Sequence, residues 1–89
     1  LKPEAGVYYA RATAEQAKNN LDAALMDYSK AIELDGRLAH AYANRAVVKI
    51  LQGKKADAKQ DFAKAFAIDP ALRATYKSFI ENRLKEEVP

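Results

Sequence analysis

Few side chains in this sequence could do chemistry, and the ones that recur are arginine–aspartate pairs: Arg11 with Asp27, and Arg45 with Asp61 at the same separation. Set on neighbouring helices, such a pair makes a bidentate ion pair whose arginine stem packs on apolar neighbours. General acid–base work would need two carboxylates converging on one cleft, which this arrangement does not supply, so the pairs read as structural. The single histidine, His40, has no second histidine, cysteine or nucleophile at a meaningful spacing. It reads as a solvated residue at a helix start rather than a base or metal ligand. The three glycines are isolated, so no phosphate-cradling loop is present. The expectation is no catalytic residue, no metal site and no cofactor.

The elements that must position these pairs repeat. A shift of thirty-four residues superposes Ala5 on Ala39, Tyr8 on Tyr42, Arg11 on Arg45, Ala12 on Ala46, Ala24 on Ala58, Asp27 on Asp61, Ala31 on Ala65, Asp35 on Asp69 and Leu38 on Leu72. No gap is needed, and Tyr28 falls on Phe62. A fixed period of this size marks a solenoid unit that cannot bury its apolar face alone.

At 89 residues the chain is one small domain at most. Abundant alanine with scarce glycine and proline favours helix over sheet. With no cysteine, disulfides and thiolate metal sites are excluded, and the composition fits a reducing compartment such as the cytoplasm. No apolar run or leader reads as a membrane span or signal peptide. The chain starts at Leu1 rather than Met, which reads as a piece of something longer. A net charge of +3 with acids interleaved among the bases reads as a mixed, solvated surface, not a nucleic-acid footprint.

Apolar periodicity predicts helices over 4–18, 21–34, 38–52, 55–68 and 71–86, with residues 1–4 as the end of a preceding unit or a linker. Asn20 or Asp22 is placed to cap the second helix, and Gly36 to supply a left-handed stop after it. Asp69 and Pro70 open the last helix. Small residues Ala12, Ala24, Ala31, Ala46, Ala58 and Ala65 stand where helices approach closely, while Tyr8, Tyr28, Tyr42 and Phe62 fill the space between. Leu72, Tyr76, Phe79, Ile80 and Leu84 form the inner arc of the last helix, opposite Lys77, Glu81, Asn82 and Lys85.

On these residues, 5–38 and 39–72 resemble the tetratricopeptide repeat, a 34-residue helical hairpin with an aromatic early in its first helix and alanine, aromatic and alanine in its second. The final stretch, 73–89, is similar to that family's C-terminal solvating helix. Departures are Glu15 and Lys49 at a position the family fills with a large apolar residue, Gly36 in place of the first proline, and Lys55 in place of an aromatic. The resemblance implies an all-α antiparallel helical-hairpin solenoid of five helices that serves as a non-catalytic protein-interaction module.

It also implies a concave groove lined by first helices: Tyr9, Thr13, Gln16 and Ala17, then His40, Ala43, Asn44, Val47, Ile50 and Leu51. Lys77 and Lys85 would flank it, and Glu81 joins them as a candidate partner contact. An apolar strip edged by lysines suits a peptide or protein segment with apolar anchors and some negative charge. Val47, Ile50 and Leu51 have a second reading, in which they pack against the last helix. Members that grip a chaperone's C-terminal carboxylate need five polar positions; only Asn44 fits, whereas Tyr9, Thr13, Ala74 and Ser78 do not, so that partner is not expected. Two repeats are fewer than the ~3 usually needed for a stable stack. The first helix therefore leaves Tyr8 and Ala12 a face for an earlier repeat or a second copy, and a homodimer is the alternative function.

Overall fold

The computed structural model describes residues 3–84. Within them lie five α-helices: α1 (Pro3–Ala17), α2 (Leu21–Leu34), α3 (Ala39–Leu51), α4 (Lys55–Ile68) and α5 (Leu72–Leu84). α2 and α4 have the boundaries expected from periodicity, and the other ends described differ by one residue. The segment after Leu84, including Lys85, lies outside the described residues.

The equivalent turns are built alike. After α1, Asn19 takes a left-handed φ of 64°, and after α3 Gly53 takes φ 82°. The next amide then closes each helix: Asn20 N donates to Glu15 O and Lys54 N to Lys49 O, both at 2.8 Å. Left-handed backbone is cheap for glycine and tolerated by asparagine. Gly36, expected to play this part, does not: α2 ends instead because Asp35 is extended (φ −146°, ψ 95°), as Asp69 is after α4 (φ −136°, ψ 92°). Each aspartate braces its turn by accepting a backbone amide two residues on, Arg37 N and Ala71 N, both at 3.2 Å. The expected caps of α2 are also corrected. Asn20 holds the N-cap position without a capping side-chain hydrogen bond. Asp22 accepts from Nε2 of Gln52, the residue just after α3, at 2.8 Å.

The helices pair as α1 with α2 and α3 with α4, and α2 joins the hairpins by packing on α3. α1 touches α3 and α3 touches α5, whereas α2 and α4 make no contact, so the first helices form the inside of the bend. All six alanines expected at close approaches are 0% exposed, and so are Tyr28 and Phe62. Tyr8 and Tyr42 are half-buried. One core gathers Ala12, Ala24, Tyr28, Ala41 and Val48, flanked by Leu21, Leu25 and Ile32. The other holds Ala43, Ala46, Ile50, Ala58, Phe62, Ala65, Phe66, Leu72 and Ile80. Leucine at Ala58 would overpack the α3–α4 approach, at about 1–3 kcal/mol. No helix among the described residues is long and apolar enough to cross a membrane.

Candidate functional site

Both recurring ion pairs form, and both are bidentate. Arg11 Nε and Nη2 donate to Asp27 at 2.6 and 2.8 Å; Arg45 Nε and Nη2 donate to Asp61, each at 2.8 Å. Each guanidinium lies near its own helix's tyrosine, Arg11 at 5.3 Å from the Tyr8 ring and Arg45 at 5.7 Å from Tyr42. These hydrogen bonds raise the pKa of both arginines.

The surroundings of the two pairs differ in charge. Lys49 Nζ reaches Asp61 at 2.9 Å, so that carboxylate has two cations. Thirty-four residues upstream the same position is Glu15, which confronts Asp27 instead. Hydrogen bonding to Asp27 raises the Glu15 pKa, while the bonds from Arg11 lower that of Asp27. The Glu15 Oε1 atom is buried without a hydrogen-bond partner. The charge reversal was visible in the repeat register; its aspartate partner was not.

A second polar group runs across the first helices. Tyr76 OH on α5 donates to Asn44 Oδ1 on α3 at 2.7 Å, and Asn44 Nδ2 donates to Tyr9 OH on α1 at 3.0 Å. Beside it, the buried Tyr28 donates its hydroxyl proton to Gln16 Oε1 at 2.7 Å, and its ring lies 5.8 Å from that of Tyr9. Burial pushes Tyr28 and Tyr76 up to about 12 and also raises Tyr9. These groups therefore stay protonated donors at neutral pH.

The groove candidates thus separate. Tyr9 and Asn44 are joined directly, and Thr13, exposed, donates to Tyr9 O within its own helix at 2.6 Å. His40 is exposed near the start of α3. Ile50, at 9% exposure, is core, so the groove position expected for it is corrected. α4 and α5 close over it. Val47 is half-buried against the same core, whereas Leu51 remains 38% exposed at the end of α3. Lys77 and Glu81 are exposed on α5. Lys85, the second flanking lysine, lies outside the described residues. Tyr76 was expected as an apolar filler; its hydroxyl's part in the network had no signal in the sequence.

Paired helices in tandem, with the first helices aligned along one face and ion pairs locking each hairpin, define a helical-repeat scaffold. The family model for the tetratricopeptide repeat matches residues 5–37 and 39–72, and the chain belongs to that family, with two tandem repeats and a further helix after them. Its repeats are generally protein–protein interaction modules and typically non-catalytic. Comparison with curated proteins returns no match.

Proposed function

We propose that the face formed by α1, α3 and α5 binds an extended peptide or protein segment and performs no catalysis. The observation that carries this is the directed hydrogen-bond chain from Tyr76 through Asn44 to Tyr9. Tyr9, having accepted from Asn44, still has its own proton to give. Asn44 has a second amide proton, and Gln16, with its oxygen taken by Tyr28, has an NH₂ group. These remaining donors suit the carbonyls of a peptide backbone or a carboxylate. Leu51 and the exposed part of Val47 offer apolar anchorage, and Thr13, His40, Lys77 and Glu81 give a polar border. The recurring carboxylates, Asp27 and Asp61, are consumed in ion pairs.

A display library of extended peptides, followed by backbone NMR shift mapping of a selected peptide on the full chain, tests the reading. Shifts should centre on Tyr9, Thr13, Asn44 and Leu51. Leu51→Lys with Lys77→Glu should abolish capture while leaving helicity intact. Shifts confined to the outer faces of α2 and α4 would refute it.

A further inference from the structure

The repeat register shows what a covered first helix looks like. In α3, Ala41, Arg45, Val48 and Gln52 form or extend one stripe that α2 covers. Ala41 and Val48 are 0% exposed within a core shared with Leu21, Leu25 and Ile32. Arg45 Nη1 donates to Ser29 Oγ at 3.1 Å, and Gln52 Nε2 to Asp22 at 2.8 Å. Thirty-four residues upstream the stripe is Val7, Arg11, Ala14 and Lys18, flanked by Tyr8 and Glu15. Here Val7 is 67% exposed, and the Arg11 side chain is 60% exposed where that of Arg45 is 18%.

We propose that this stripe is a self-association surface, on which a second copy of the chain lays its own α1 antiparallel, with Arg11 of each copy meeting Glu15 of the other. A two-fold interface must be self-complementary, so every contact occurs twice. The stripe satisfies that condition: Arg11 and Glu15 lie one helical turn apart, and an axis crossing α1 between them sets each arginine against the other copy's glutamate. The same operation places Val7 and Tyr8 against the aliphatic stem of Lys18. Arg11 spends Nε and Nη2 on Asp27, leaving Nη1, the donor that in Arg45 crosses to the neighbouring helix. Glu15 gains a second cation beside its own Arg11. Among the described residues Asp61 has both Arg45 and Lys49, whereas the Asp27–Glu15 pair has Arg11.

One helix face is smaller than the ~800 Å² per partner of a standard interface, so association should be weak and concentration-dependent. It does not rest on the peptide-binding reading, which uses the opposite side of α1. The test is sedimentation equilibrium of the full chain from micromolar to millimolar concentration at low salt. The mean mass should rise from the 9.9 kDa of the monomer toward twice that value. Glu15→Lys, which recreates the charge arrangement of the second repeat, should stay monomeric throughout while melting higher than the parent. Val7→Asp, a change at an exposed site, should weaken association by about tenfold or more. A parent chain that holds the monomer mass at every concentration overturns the proposal. So does a dimer that both substitutions leave unchanged.

Discussion

Glu15 and Lys49 occupy the same position of successive repeats, and each faces the aspartate of its own hairpin with opposite charge: Lys49 bonds Asp61 at 2.9 Å, whereas Glu15 crowds Asp27. The second repeat is thus a control for the first. Glu15→Lys should raise the melting temperature at neutral pH. Lys49→Glu should cost at least ~2 kcal/mol, because a mostly buried carboxylate loses one cation and gains a like charge. Paired thermal melts of the two variants check both signs.

The pH dependence of the parent follows from the same pair. The Glu15 pKa is raised, so the stability linked to its protonated form is present below the ordinary glutamate value, ~4.3, and is lost as pH rises through its folded value. The Asp27 pKa is lowered, so its contribution is present above the ordinary aspartate value and is lost only as pH falls through its folded value. Acidifying from neutrality toward the ordinary glutamate range should therefore stabilise the Glu15–Asp27 site. Urea titrations at a series of pH values should show the parent gaining on Glu15→Lys over that range. A constant difference between the two would contradict the linkage.

The turns after α2 and α4 also match in register, with Gly36 standing where Pro70 stands. Asp35 before it is extended, as a residue before proline must be, and a Cβ at Gly36 would meet Ile32 O at an ordinary 3.8 Å. Gly36→Pro should stabilise the fold by about 0.4–1 kcal/mol, chiefly by restricting the unfolded chain. Denaturant midpoints measure it; a loss of stability would mean that the two turns are not interchangeable.

Most of the fold was legible because each helix shows its apolar spacing twice, in register. Asp27 and Asp61 could be paired with their arginines for the same reason. Ile50 was less legible: apolar residues cover a wide arc of α3, and only the packing of α4 and α5 decides which part is covered. Asn44 gave no local signal, since its partners Tyr9 and Tyr76 lie 35 and 32 residues away on other helices. The left-handed stop was assigned to Gly36, yet the chain needs it at Asn19 and Gly53, where the helix closes on an amide further along.

Tyr28 and Tyr76 should titrate late. Burial pushes Tyr28 and Tyr76 up to about 12, so the stability their protonated hydroxyls contribute is intact below the ordinary tyrosine value, ~10, and is lost as pH rises through about 12. Ultraviolet absorbance of the phenolate should show these two hydroxyls ionising late, together with the loss of helical circular dichroism. Tyr28 and Tyr76 ionising at the ordinary value, with helicity intact, would remove the buried network.

Asn44 separates stability from binding. Asn44→Leu removes both the acceptor used by Tyr76 and the donor used by Tyr9, and should cost about 1–3 kcal/mol through the two hydroxyls left without their partner. Asn44→Asp keeps the acceptor for Tyr76 and offers a second one to Tyr9, whose proton would turn inward. The fold should survive that change, but the outward donors of Tyr9 and Asn44 would be gone and a negative charge would face the ligand. Capture of an acceptor-rich peptide should therefore fall by at least tenfold, a loss of about 1.4 kcal/mol, with little change in melting temperature. Calorimetric titration of both variants with the same display-selected peptide distinguishes the effects. If Asn44→Asp binds as tightly as the parent, the hydrogen-bond chain holds the helices together and takes no part in recognition.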